Sequence, residues 1–180
     1  MPARRAFTIG HSSHALEAFL GLLERHGVRA VADVRRFPGS RRHPQFGRDA
    51  LAGALAARGI GYEHLGALGG RRSVAPGSPN GGWEVAAFQG YADHMATPEF
   101  TAGLARLEAL AGATPTAVMC AEALWWQCHR RLVADALVAR NWAVDHIRAD
   151  GRLDAHVPTP FLAVDAQGRL TYPPAQLSLG

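Results

Sequence analysis

The chain of 180 residues is 48% hydrophobic and 19% charged, which excludes a disordered polypeptide and supports one globular unit with a substantial core. It has no run of about 18 apolar residues, and the opening segment has no long apolar stretch ahead of a small-residue cleavage site, so neither membrane insertion nor export is expected and the expected location is the cytoplasm. A formal charge of +4 and a pI near 9.8 point to anionic partners; all 19 cationic side chains are arginine and none is lysine, so local clustering says more than the total.

In chain order, residues 6–11, AFTIGH, read as a short apolar strand. In SSHALEAFLGLLERHG, Leu16, Phe19, Leu20 and Leu23 recur at helical spacing, with Ser12 or Ser13 as expected N-cap and Gly27 as terminator. Residues 28–35, VRAVADVR, are nearly continuous in apolar side chains, the pattern of a strand buried on both faces. RDALAGALAARG is a second helix ending at Gly59, and IGYEHL a third strand. Residues 66–83 break the alternation with a glycine- and proline-rich loop, long enough to be expected as a lid, a binding loop or a mobile segment. VAAFQGYADHM and TPEFTAGLARLEALAG follow as helices, the second with Thr97 as N-cap and Pro98 at its first position. TAVMCAE then reads as a strand, CHRRLVADALVARN as a helix and WAVDHIRAD as a strand. The tail, residues 156–180, holds FLAVDAQGRLTYPP, a hairpin turning at DAQG.

This alternation predicts an α/β fold: a Rossmann-like, three-layer, open and mostly parallel sheet with helices on both faces, forming one domain over residues 1–180 with a C-terminal hairpin or extended tail. Ligands of such sheets sit in the crevice beyond the carboxyl ends of the strands. Those ends carry His11 and Ser12, Asp33 and Arg35, Glu63 and His64, Cys120 and Glu122, and His146 and Asp150. Polar groups therefore gather where the fold is expected to place a site.

The densest chemistry lies in CAEALWWQCHRR, residues 120–131. Cys128, His129 and Arg130 open the predicted helix, where free amides and the macrodipole favour anions and can draw a thiol pKa from about 8.5 toward about 3.5–7.5. Cys128 is thus a candidate nucleophile or redox thiol, expected to be more reactive than Cys120; the alternative is a thiol packed like a small hydrophobe. Glu122 should share a face with Cys120, as a candidate general base or as an ion-pair partner of Arg130 or Arg35. Asp33 is a second candidate for proton transfer, or a group that fixes its loop. No cofactor is expected. Cys120, Cys128 and His129 leave zinc open as an alternative, with His11, His64 or His146 as fourth ligand, although seven residues separate the cysteines and Cys128 adjoins His129. A disulfide between the cysteines is another alternative, and in the cytosol it would be regulatory or transient. The spacing lacks the glycine cradle of cysteine-dependent phosphatases, and the paired glycines form no dinucleotide fingerprint.

RRFPGSRRHPQFGR concentrates Arg35, Arg36, Arg41, Arg42 and Arg48 among Phe37, His43 and Phe46. Forked guanidiniums suit phosphate or carboxylate, and interleaved aromatics suit stacking on bases. The expected partner is an anionic small molecule or a nucleic acid, bound by His11, Arg35, Arg41, Arg42 and Arg130, with Glu122, Cys128, His129 and Asp33 as catalytic groups of a hydrolase or transferase. The alternatives are a non-catalytic nucleic-acid-binding module and a thiol-based redox or metal sensor. Convergence of these groups in one cleft favours the enzyme, and an open basic stripe favours the binding module.

TIGHSS, VADVRRFPGSRRHPQF, YEHLGALGG and CAEALWWQCHRRLVADAL followed by DHI resemble the signature blocks of domain-of-unknown-function family 488, a bacterial and archaeal family, over residues 8–147. Its DVR block falls on Asp33, Val34 and Arg35, and its P-x-S-R block on Pro38 and Ser40 with Arg41. Its C-x-E block falls on Cys120 and Glu122, and its C-H-R block on Cys128, His129 and Arg130. The resemblance implies a Rossmann-like α/β domain and no agreed reaction. One departure is the link ALWWQ, where Trp125 and Trp126 replace what is commonly a polar segment containing proline.

Overall fold

The structure, a computed structural model, describes residues 3–176, so residues 177–180 of the expected tail and the first two residues of the chain lie outside the described residues. Six strands form the main sheet: β1 (Arg4–Gly10), β2 (Ala30–Asp33), β3 (Gly61–His64), β4 (Thr116–Cys120), β5 (Trp142–Ile147) and β6 (Leu153–Ala155). Their order is β3-β2-β4-β1-β5-β6; the first five run parallel and β6 pairs antiparallel with β5. Five helices cover them: α1 (Leu16–Arg25), α2 (Arg48–Ala56), α3 (Ala86–His94), α4 (Pro98–Ala113) and α5 (Arg130–Ala139). The expected Rossmann-like three-layer fold is the observed one.

Alternation along the strands divides the core. Phe7, Ile9, Val31, Ala117, Met119 and Ile147 face α1 and α2, meeting Phe19, Leu20, Leu23, Leu51 and Leu55. Ala6, Ala32, Val118, Cys120 and Val144 face the other helices, packing with Tyr91 of α3, Leu104 of α4 and Leu132 of α5. Because both faces are covered, β2 and β4 are buried at every position, which explains why all but Asp33 and Thr116 in them are apolar.

Capping follows expectation at α4, where the Thr97 hydroxyl accepts from the Phe100 N–H at 3.2 Å, and departs from it at α1. The α1 N-cap is Ala15, without a side-chain hydrogen bond. Ser12 instead takes a left-handed conformation, φ 46°, and its N–H donates to the Ala121 carbonyl at 3.0 Å, so it ties the loop after β1 to the loop after β4.

The loop at residues 66–83 is packed rather than free. Asp93 of α3 accepts from the Ala75 N–H at 2.8 Å and from the Asn80 amide at 2.7 Å, while buried Asn80 accepts from the Tyr172 N–H at 2.9 Å. The C-terminal segment contains the predicted hairpin, β7 (Ala163–Val164) with β8 (Leu170–Thr171), joined by the turn that begins at Asp165. Sequence patterning missed β6, a three-residue strand whose partner β5 is reached by a turn at residues 148–152. Among the described residues no helix is long and apolar enough to cross a membrane.

A buried polar chain fastens this C-terminal segment to the sheet. The Asp135 carboxylate, on α5 and fully buried, accepts from His156 Nε2 at 2.7 Å, the Thr159 N–H at 3.0 Å and the Tyr172 hydroxyl at 2.8 Å. His156 Nδ1 meets His146 Nε2 at 2.9 Å, and His146 Nδ1 meets the Thr8 hydroxyl at 2.6 Å. Removing one partner of a buried, fully satisfied network leaves the others desolvated and unpaired. Asp135→Ala should therefore cost about 3 kcal/mol in urea denaturation and should speed amide exchange across residues 156–172 more than elsewhere. Uniform exchange with unchanged stability would show that the chain is not the fastening.

Candidate functional site

The strand order creates the site. From β1 the chain crosses through α1 on one face, and from β4 it crosses through α5 on the other, so the loops after these neighbouring strands diverge and open a crevice at their carboxyl ends. A cavity of about 700 Å³ occupies that crevice. Gly10 ends β1, and a Cβ there would lie 1.7 Å from the Glu122 carbonyl oxygen, so only glycine lets the β4 loop cross so closely.

Seven of the nine sequence-predicted residues line this cavity: His11, Arg35, Arg41, Arg42, Glu122, Cys128 and His129. Asp33 and Arg130 were expected beside them and lie behind the wall instead. Asp33, fully buried, accepts from Arg35 Nε at 2.9 Å, Arg35 Nη2 at 2.7 Å, the Arg35 N–H at 3.0 Å and the Tyr62 hydroxyl. Its lone pairs are engaged, so it holds Arg35 rather than moving protons. Arg35 also donates to the Phe46 carbonyl at 2.8 Å, and Nη1 reaches His11 Nε2 at 3.4 Å. His11 stacks on Phe46, and its Nδ1–H donates to the Ser12 carbonyl at 2.9 Å. Burial lowers the His11 pKa from 6.5 to about 4, which suits an imidazole that accepts from a guanidinium.

Of the other strand-end groups named from sequence, Glu63 forms a two-pronged ion pair with Arg106, His64 contacts the Arg35 carbonyl, His146 joins the buried chain, and Asp150 closes the turn before β6. None of these lines the cavity. Sequence reasoning missed Arg71 and Phe88 as lining residues. Arg71, with φ 58°, follows the Gly69–Gly70 pair, the one local sign that its backbone is special.

The lining is electrostatically lopsided. Of Arg35, Arg36, Arg41, Arg42 and Arg71, only Arg35 has a carboxylate partner among the described residues. Arg36 and Arg71 flank the exposed ring of Phe37 at 5.6 and 6.0 Å, and Arg36 Nη1 donates to the Arg71 carbonyl at 2.5 Å. Against these cations stands Glu122, exposed, whose carboxylate has no hydrogen-bond or ion-pair partner among the described residues.

On the cavity floor the two free cysteines, each almost fully buried, face one another with Cys128 Sγ 2.7 Å from Cys120 Sγ. Cys128 Sγ also lies 3.6 Å from His129 Nδ1 and accepts from the Arg130 N–H at 3.5 Å. His129 Nε2–H donates to the Val34 carbonyl at 3.0 Å, leaving Nδ1 as a lone pair turned toward Cys128. Gly70 covers that ring; a Cβ there would approach Nδ1 to 2.9 Å.

Beneath the floor Arg130 is 1% exposed, and its Nη2 holds the loop through the Glu122 carbonyl at 3.0 Å and the Ala123 carbonyl at 2.9 Å. Nε and Nη1 have no hydrogen-bond partner, and the guanidinium has no carboxylate partner among the described residues. A buried cation of this kind demands a neighbouring anion. Burial raises the Cys120 thiol, but donation from Cys128 and the Arg130 charge outweigh it and its pKa falls; burial and the neighbouring Cys120 sulfur push Cys128 well up. The two shifts run opposite to the expected order, down at Cys120 and up at Cys128. The Arg130 charge lowers both thiols, and the hydrogen bond between the sulfurs lowers Cys120 while raising Cys128.

Zinc does not fit these sulfurs as arranged. The 2.7 Å between the sulfurs is shorter than the roughly 3.8 Å between two ligands of one tetrahedral zinc with Zn–S bonds of about 2.3 Å, and among the described residues no group of three or more His, Cys, Asp or Glu side chains is placed to hold a metal ion.

Fold and site together define a doubly wound α/β protein with an arginine-lined cleft over a thiol pair. The chain belongs to the family described as Domain of unknown function DUF488, whose model matches residues 15–137. That match includes the DVR and C-H-R blocks and leaves TIGHSS and DHI outside it. No curated protein and no solved structure gave a match.

Burial lowers the pKa of His129, like that of His11, from 6.5 to about 4. Between these values the unfolded chain binds protons that the native protein excludes, so this contribution to stability is present above pH 6.5 and is lost as pH falls toward 4. His129→Gln should flatten the fall in unfolding free energy across that window relative to wild type. Parallel curves would mean that His129 is not held neutral.

Proposed function

We propose that this protein is an enzyme acting on a phosphate-bearing substrate, a nucleotide or a strand of nucleic acid, in the crevice at the carboxyl edge of the sheet. The observation that carries it is the convergence, in one cleft, of four arginines without carboxylate partners among the described residues, a Glu122 without a partner among them, and a thiol pair in contact. A binding module alone has no use for the last two. Arg41, Arg42 and Arg71 hold the phosphate as forked, permanently charged donors, and Arg35 acts by fixing the loop that presents them. Phe37, 64% exposed between two guanidiniums, offers a stacking face for a base. Glu122 transfers the proton, because it alone among the lining groups is an exposed carboxylate. Cys120 supplies the nucleophile, with Cys128 and His129 as its proton relay.

Fluorescence anisotropy with a single-stranded oligonucleotide and with a nucleoside monophosphate, across a salt series, tests the substrate class. Affinity for the strand should fall with a log–log slope of about 0.7 per phosphate engaged, and Arg41→Ala with Arg42→Ala should reduce that slope by one to two contacts' worth. In a turnover screen over nucleotide phosphoesters, Glu122→Gln should abolish product while retaining binding. Absence of binding of either probe at low ionic strength would sink the proposal.

A further inference from the structure

We infer that Cys120 and Cys128 are a reversible redox pair that a hydroperoxide oxidises to a disulfide across the cavity floor. This stands on the thiol pair and Arg130, independently of the phosphate substrate. The first observation is separation: at 2.7 Å the sulfurs are further apart than the ~2.05 Å of a disulfide, and they face each other without an intervening group. The second is access, because both cysteines line the cavity and a small oxidant needs no unfolding to reach them. The third is charge. Arg130 is buried, and among the described residues two of its nitrogens lack partners and no carboxylate neutralises it, so a thiolate above it is the anion that the surroundings favour. The pKa shift is downward at Cys120 and upward at Cys128, which favours Cys120 as the attacking sulfur, and Cys128 Sγ stands 3.6 Å from His129 Nδ1.

The chemistry balances in two steps. The Cys120 thiolate attacks a peroxide oxygen; an S–O bond forms, the O–O bond breaks, and the departing alkoxide takes a proton to leave as an alcohol, or as water from hydrogen peroxide. The Cys128 thiol attacks Cys120 Sγ as its proton passes to the departing hydroxide; the S–S bond forms, the S–O bond breaks, and water leaves. Two thiols have lost two electrons and two protons, and the peroxide has taken them up. A soluble dithiol reverses the change by exchange.

The test is intact-mass and peptide mass spectrometry of the reduced full chain after hydrogen peroxide, followed by alkylation. Wild type should lose two hydrogens, resist alkylation at both cysteines and yield one peptide pair linked through Cys120 and Cys128; dithiothreitol should restore both thiols. Cys128→Ser should stop at one added oxygen on Cys120, trapped by dimedone, whereas Cys120→Ser should leave Cys128 reduced under the same exposure. Because a variant can fail to fold, the wild-type cross-link is decisive alone. Two alkylatable thiols after peroxide, progressive gain of oxygens without a cross-link, or a cross-link that forms only in denaturant would each overturn the inference. Loss of oligonucleotide or nucleotide binding leaves these readouts untouched, so failure of the phosphate substrate is distinguishable from failure of the redox pair.

Discussion

Everything at the functional edge depends on the parallel pairing of β1 with β4. The two strands are far apart in sequence, and their neighbours in the chain lie on opposite sides, so the connections out of them must part. The gap thus opened is closed only by contacts that need a bare backbone. The Glu122 carbonyl crosses over Gly10, and the Ser12 N–H reaches across to Ala121. A side chain at position 10 would force those loops apart and remove the surface on which Glu122 and Cys120 stand.

Two buried arginines near this junction have opposite electrostatic situations. Arg35 has a complete set of partners, and its two-pronged bond to Asp33 neutralises both charges, so it makes a rigid post for the basic loop. Among the described residues the Arg130 guanidinium has two carbonyl partners and no carboxylate. Burying a guanidinium without a carboxylate costs several kcal/mol, a cost that a stable protein offsets elsewhere or uses. The sulfurs above it give the charge a use, since a thiolate is worth more to the fold than a thiol at that position. The Cys120 shift is downward because the hydrogen bond from Cys128, and after it the Arg130 charge, outweigh burial.

The buried chain from Thr8 through His146 and His156 to Asp135 supports the site from behind. It joins β1, β5 and α5 to the C-terminal segment, and the ring of Trp125 stacks on His146 at 4.2 Å. Trp125 belongs to the link between Glu122 and Cys128. That half-buried ring ties the connecting loop to β5, between the candidate side chains on either side.

Local sequence determined the elements and their edge. Apolar runs at Ala30–Asp33 and Thr116–Cys120, helical spacing at Leu16–Arg25 and the Thr97-Pro98 start of α4 are legible because each is set by neighbours a few residues away. The same logic placed Glu122, Cys128, His129 and the arginine loop at strand ends, hence in one crevice. What sequence could not decide was which polar group is spent on holding and which is free to react. Asp33 and Glu122 look alike in the chain, yet one carboxylate is buried with its lone pairs engaged and the other is exposed and unpaired. Cys128 has the better local signals, and Cys120 carries the lower pKa because Arg130 lies beneath it and Cys128 donates to it. The Asp135 chain spans 138 residues at its widest contact and has no local pattern at all. Charge, burial and hydrogen-bond saturation are sums over everything that surrounds a group, and those surroundings exist only once distant segments have packed.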